Sequence, residues 1–358
     1  MKILYDHQMF SMQKYGGVTR YFCDLMNNLP SWVESELGVE YSENQYLRES
    51  GNIKLKDLSL TSNFRVNRRV YSFLNSRIST RALKANQFDV FHPTYYSPYF
   101  LNNLSRPFVL TVHDMIHEKF KELFPFYDTN AANKKELVKK ASHIIAVSQH
   151  TKNDLIDLLD VDESRITVVQ HGYKQRVEAS PQLYTRYILF VGERKNYKNF
   201  TRFAEAITPL LKEDSSLKLV CTGNAFNGME LNHLASLQIQ SQVIHHAATD
   251  SELASLYKYA LVFVFPSLYE GFGIPILEAF ANECPVCLSS ASCFPEIARQ
   301  GALYFDPLDK ESIQETVRQV ITDQSLSSKL VEEGRSRLTA FSLDNMVNKT
   351  CNVYRSVL

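Results

Sequence analysis

One stretch narrows the kind of fold open to this chain. Phe265-Pro-Ser-Leu-Tyr-Glu-Gly-Phe-Gly-Ile-Pro-Ile-Leu-Glu-Ala-Phe-Ala281 follows a short apolar run, 261–265, that reads as a buried strand. The chain then turns through Gly271, Phe272 and Gly273 and enters a helix at Ile274. Pro275 falls in the first helical turn, where its missing N–H costs nothing. Strand, glycine turn and helix N-terminus together make an anion site, because backbone N–H groups and the positive end of the helix dipole converge on one spot. Glu270 and Glu278 flank that spot. Carboxylates repel phosphate, so these two suit hydroxyls on either side of it. A diphosphate with a sugar at each end meets that description.

The same alternation runs through the chain. Apolar runs at 2–5, 88–92, 107–112, 141–147 and 166–169 read as strands with helical segments between them, and a second series begins at 187–191 and continues through 217–221, 243–246 and 286–289. This pattern predicts an α/β protein of two doubly wound parallel-sheet domains, and 358 residues suit two cores better than one. Ligands of such sheets gather beyond the C-terminal strand ends. The candidates there are Gly16 and Gly17 before a helix, His92 with Tyr95 and Tyr96, His113, the cationic loop from Arg194 to Lys198, and the turn of Thr222 and Gly223. GxGxxG is absent, which argues against a dinucleotide site.

Glu270 and Glu278, with seven residues between them, resemble the EX7E motif of the retaining glycosyltransferases of family 4, and Pro-Ser-Leu-Tyr-Glu-Gly-Phe-Gly-Ile-Pro and Leu-Glu-Ala-Phe-Ala match that family's surroundings of it. The resemblance covers essentially the whole chain. It implies the GT-B architecture, two Rossmann-like domains facing a cleft. The first would be residues 1–176 plus a returning final helix at 343–358, the second 177–342. It implies a nucleotide-sugar donor and no further cofactor. Gly16, Gly17 and Arg20 would face the donor diphosphate. Arg194 and Lys198 would hold it, with Lys195 a less suitable substitute. Gly271, Phe272, Gly273 and Ile274 would present their backbone, Glu278 would take the ribose, and Glu270 and His113 would hold the transferred sugar. Thr222 and Gly223 would border the base. With cations and helix termini facing the leaving diphosphate, no metal ion is expected.

Composition limits the partners. A formal net charge of zero gives no drive toward nucleic acid. No apolar run approaches the roughly 18 residues that span a bilayer, and the six scattered cysteines suit a reducing cytoplasm. Cys284-Pro-Val-Cys287 and Cys293 read as buried structural thiols, since no second metal-like cluster accompanies them. Asp160-Val-Asp162 imitates a DxD metal motif but lies between a helix and a following strand, the wrong strand end for a site. Residues 58–88 contain no acid and carry Arg65, Arg68, Arg69, Arg77, Arg81 and Lys84 among Val66, Val70, Phe73, Leu74 and Ile78 at helical spacing. Such a helix is most often a solvated basic face; the alternative is peripheral contact of residues 64–84 with an anionic membrane at its inner face. The activity that the family resemblance implies is transfer of a hexose, from a UDP-sugar such as UDP-glucose before a GDP-sugar such as GDP-mannose, to a hydroxyl of a polysaccharide or lipid-linked oligosaccharide. The competing readings are a nucleotide-sugar epimerase on the same scaffold and a catalytically silent sugar-binding subunit.

Overall fold

The computed structural model describes residues 1–51, 55–56, 64–175, 177–194 and 196–358. Residues 58–63 of the acid-free stretch and Lys195 lie outside the described residues. The chain divides into two compact units, Met1–Gly172 with Ser342–Leu358, and Tyr173–Phe341.

The first unit contains strands β1 (Lys2–Tyr5), β2 (Glu34–Leu37), β3 (Val90–His92), β4 (Val109–Val112), β5 (His143–Ala146) and β6 (Ile166–Val168), all parallel. They pair in the orders β2-β1-β3 and β4-β5-β6, and a parallel bridge between Phe91 and Phe108 joins the two sets. The strands read as short apolar runs because a parallel sheet is covered on both faces. The edge strand β2, of sequence Glu-Ser-Glu-Leu, is the most exposed of those described.

The last helix, Leu343–Ser356, belongs to this unit. Met346, Val347, Cys351, Val353 and Tyr354 pack into the core with Ile3, Phe22, Val109 and Ile145. Its return is also tied by polar groups. The Tyr354 hydroxyl lies 2.9 Å from that of Tyr5 and 2.6 Å from His92 Nδ1, and His92 Nε2 lies 2.8 Å from Thr111 Oγ1. His92 is fully buried with both ring nitrogens engaged, so it does not line an acceptor site. Gly172 passes the returning chain so closely that a Cβ there would sit 2.6 Å from Leu343 Cα.

The basic helix forms as Phe64–Ala85, but its orientation differs from the apolar pattern. The buried stripe is Asn67, Tyr71, Asn75, Ser79 and Leu83, while Val66 and Phe73 are exposed. The polar side chains are drawn in because they cap loops. Asn75 accepts from the Glu40 and Tyr41 N–H groups and donates to Tyr41 O, and Ser79 donates to Gly38 O. Satisfied in this way, buried amides stabilise rather than penalise the packing.

The second unit contains β7 (Tyr187–Phe190), β8 (Lys218–Cys221), β9 (Val243–His245), β10 (Val262–Phe265), β11 (Val286–Ser289) and β12 (Leu303–Phe305) in the parallel order β12-β11-β10-β7-β8-β9. The chain reverses its winding between β7 and β10, and that switch point is where such sheets bind ligands. The core is aliphatic and aromatic throughout, from Ile188 and Phe203 to Val264 and Val317. The helix Asp250–Lys258 is capped by Thr249 in a reciprocal capping box with Glu252.

Replacing Tyr354 by Phe removes one hydroxyl and leaves Tyr5 and His92 short of a buried partner. It is expected to lower the stability of the first unit by about 1–3 kcal/mol. Urea unfolding followed by the fluorescence of Trp32, the chain's single tryptophan, reads this unit alone; an unchanged midpoint would refute the role given to the hydroxyl.

Candidate functional site

The second unit gathers its candidate residues around the switch point. After β10 the chain runs through residues 266–273 into the helix Ile274–Ala281. Gly273 is its N-cap at φ +95°, a conformation that suits glycine, and no side chain caps this end. Pro275 lies in the first turn. Gly271, Phe272 and Gly273 are buried and Ile274 is half-buried. Glu270 is gripped by the loop after β11. Ser292 Oγ accepts from its N–H at 3.0 Å and donates to its carbonyl at 2.5 Å, while Cys293 Sγ lies 3.2 Å from the carbonyls of Glu270 and Phe272. Burial pushes the Cys293 thiol well above the ordinary range, so it acts as a neutral donor.

The loop after β7 meets this turn across the switch point. Lys198 Nζ donates to Glu270 Oε1 at 2.6 Å. Asn199 donates to Pro266 O at 3.2 Å and Pro307 O at 2.7 Å, and Leu268 N donates to Tyr197 O at 2.7 Å. An ammonium has three donors, so Lys198 can pair with Glu270 and still address an anion at the helix N-terminus. Glu278 stands further along the helix, where the Tyr257 hydroxyl donates to its Oε2 at 3.2 Å.

Arg194, in the same loop, reaches toward the turn after β8. Its side chain is 2% exposed and its Nε donates to Glu230 Oε1 at 2.8 Å. Thr222 is buried beneath the turn, and Gly223 and Asn224 are exposed at its edge.

In the first unit, Gly16 is the N-cap of the helix Gly17–Asn27, with extended backbone and no side-chain cap, and Gly17 is exposed. Arg20 lies 3.9 Å from Asp24. His113 follows β4. Its N–H donates to Tyr96 Oη at 2.9 Å, and the next residue's carbonyl, that of Asp114, accepts from the buried Lys134 at 2.8 Å. Tyr96 is therefore a buried support for His113, not an acceptor-lining group, whereas Tyr95 stays half-buried. His113 Nε2 is buried with no hydrogen-bond partner among the described residues. Burial, with His92 and Lys134 near, lowers its pKa to about 3, so the imidazole is neutral.

Comparisons with known proteins bear on this arrangement. The sequence model described as Glycosyl transferases group 1 matches residues 174–337, and that described as Glycosyltransferase Family 4 matches residues 15–174. The chain belongs to the group 1 glycosyltransferases of family 4. O-antigen chain mannosyltransferase B of Escherichia coli is 27% identical over 80% of the chain and 79% of that protein. O-antigen chain mannosyltransferase RfbU of Salmonella typhimurium is 29% identical over 61% of the chain; the match takes in 62% of RfbU. HepE from Anabaena, solved with UDP and glucose, superposes with a TM-score of 0.76 at 15% identity over 99% of the chain and all of HepE, which establishes the GT-B fold.

In this glycosyltransferase the residues missed by sequence reading are Ser292, Asn199, Tyr257 and Lys134. Each acts on a partner 20 or more residues away, so no local spacing marks it. The first unit also holds three neutral buried histidines, His92, His113 and His171, each lowered by burial to about 3. Their ordinary value is about 6.5, so the unfolded chain takes up protons that the folded unit refuses. Their contribution to stability is complete above pH 6.5 and is lost as pH falls toward 3. Between pH 6.5 and 4.5 the Trp32 unfolding midpoint is expected to drop steadily, and His113→Gln to flatten that slope by up to about 1.4 kcal/mol per pH unit. A slope unaltered in His113→Gln would refute the assignment.

Proposed function

We propose that this glycosyltransferase moves a mannosyl residue from GDP-mannose to a hydroxyl of a growing surface glycan, with retention of anomeric configuration and without a metal ion. The observation that carries the reading is the contact of Lys198 with Glu270 beside the uncapped N-terminus of the helix Ile274–Ala281, at the sheet's switch point. The reaction breaks the bond from the anomeric carbon to the β-phosphate oxygen and forms a bond from that carbon to the acceptor oxygen. The acceptor proton passes to the departing diphosphate. Lys198 and the helix N–H groups face the charge that develops on that leaving group, the type of interaction that dominates many catalytic barriers. Glu278, oriented by Tyr257, takes the ribose hydroxyls, and Glu270 those of the donor sugar. From the first unit, Gly16 and Gly17 are assigned to the diphosphate, and His113, neutral with an Nε2 that has no partner among the described residues, to a sugar hydroxyl. Retention by double displacement would need a carboxylate on the far face of the sugar; front-face attack needs none.

The donor follows relatives rather than the broader expectation of a UDP-sugar, since the two O-antigen enzymes described above are named mannosyltransferases. Calorimetry with GDP and UDP is expected to show GDP bound more tightly, unchanged by EDTA, and weakened at least tenfold in Glu278→Ala. Tighter UDP binding would keep the chemistry and move the donor to a UDP-sugar. Loss on EDTA treatment would refute metal independence, and binding of neither would favour the silent subunit.

The outer stripe of the helix Phe64–Ala85 supports an acceptor held at an anionic membrane. Arg69, Phe73, Arg77, Arg81 and Lys84 are all exposed on it, and no helix among the described residues is long and apolar enough to cross a bilayer. Each such cation near an anionic surface adds about 1 kcal/mol. The protein is expected to sediment with phosphatidylglycerol vesicles and not with phosphatidylcholine ones. Equal recovery with both, or retention by an Arg77→Glu/Arg81→Glu variant, would refute the contact.

A further inference from the structure

We propose that the first unit carries a saccharide site of its own, a groove beside the end of β4 that takes a sugar unit of the acceptor glycan other than the one that reacts. The inference rests on the glycan-acceptor reading and deepens it. The groove encloses about 500 Å³. Its walls are the helix Ile116–Lys119, residues 121–128, the helix Asn130–Lys140 and the end of the helix Gln149–Leu159. Small-molecule sites span roughly 300–1,000 Å³, and this volume falls among them. Lys134 Nζ braces one wall, since it donates to Asp114 O and to Glu118 Oε2, each at 2.8 Å. Lys119 Nζ ties the short helix to Asp154, 2.6 Å away on the helix Gln149–Leu159. The groove therefore opens next to the strand end that carries His113.

Two polar atoms of this wall, Glu118 Oε1 and His117 Nδ1, are buried without a hydrogen-bond partner among the described residues. The Glu118 side chain is only 7% exposed. A buried polar atom left unpaired costs about 1–3 kcal/mol, so each of these calls for a partner that the protein does not supply. The other oxygen of Glu118 belongs to Lys134, and the other nitrogen of His117 lies 3.4 Å from Asn130 Nδ2. With that nitrogen accepting from the amide, Nδ1 carries the proton and donates, whereas a carboxylate oxygen only accepts. A hydroxyl does both, and a sugar ring carries several. The rest of the lining is apolar. The Phe124 ring stacks on His117 with centroids 4.0 Å apart, and Pro125, Phe126 and Leu158 continue the surface, with Phe126 fully exposed. Aromatic faces of this kind suit the C–H face of a pyranose. Charge points to the same class, because the carboxylates of Glu118 and Asp128 are matched along the lining by the ammonium groups of Lys121 and Lys135, which favours a neutral ligand.

Calorimetry with two neutral trisaccharides, an α-linked mannotriose and maltotriose, tests the groove in the absence of nucleotide. The unaltered protein is expected to bind the mannotriose, and maltotriose more weakly. Ala132 lines the groove at an exposed helix position, so Ala132→Trp fills the space at little cost to the fold and is expected to weaken mannotriose binding at least tenfold. His117→Phe keeps the stack on Phe124 and removes Nδ1; it is expected to weaken binding about fivefold, the size of one hydrogen bond. Neither change should alter the affinity for GDP. Glu118→Gln would leave the buried Lys134 without its carboxylate and need not fold, so the decision rests on the other two variants. Trisaccharide affinity unchanged in Ala132→Trp overturns the proposal. So does loss of vesicle recovery in that variant with the sugar still bound, which would give the groove to a lipid chain. Binding of neither trisaccharide overturns it whether or not GDP binds. A trisaccharide bound, and lost in Ala132→Trp, by a protein that takes no nucleotide would leave the groove standing and overturn the donor reading instead.

Discussion

The backbone amide and carbonyl of one residue, Glu270, are held by one hydroxyl, that of Ser292. The candidate chemistry of the second unit depends on that grip. It fixes where the Glu270 carboxylate meets Lys198 and how the turn enters the helix Ile274–Ala281. Ser292 itself sits at φ +62°, a left-handed conformation that costs a non-glycine residue about 1–3 kcal/mol. Such a cost persists only where neighbours over-determine the geometry. Here Cys293 does so from below with two contacts to the same turn. Asn199, also left-handed at φ +58°, performs the same service from the β7 side through two carbonyls. Two of the left-handed residues thus lie on loops either side of the β10 turn, and both hold that turn.

How much of this was legible in the sequence follows from the range of each interaction. The strand-turn-helix at 261–281 was legible because glycines, Pro275 and the apolar run act within a few residues of one another. The returning helix was legible only through the family resemblance, since nothing local says where Tyr354 will land. The orientation of Phe64–Ala85 was not legible. Periodicity assigns the inner face to apolar residues, but Asn75 and Ser79 are drawn inward by loop carbonyls and amides more than 30 positions away. The Arg194–Glu230 pair was not legible for the same reason, since the two residues lie 36 positions apart.

The two units solve one architectural problem with different materials. The core of the second is almost wholly apolar. The first threads a polar network through its centre. Asp6 at the end of β1 accepts from Thr94 N at 2.9 Å, Thr94 Oγ1 at 2.7 Å and Gln8 Nε2 at 2.7 Å, which fills the point where β1 and β3 part. Its own helix must rejoin it after an excursion of 169 residues through the other unit. Apolar contact alone is tolerant of sliding and rotation, because aliphatic cores accept many near-equivalent packings. A buried hydroxyl tolerates neither, since a misplaced Tyr354 would leave His92 and Tyr5 unsatisfied at a cost comparable to a large part of a domain's net stability. The Tyr5–Tyr354–His92–Thr111 chain thus specifies a single docked position for the last helix. His92, a member of that chain, must remain neutral for that position to hold, which makes the register of the return an acid-sensitive part of the fold.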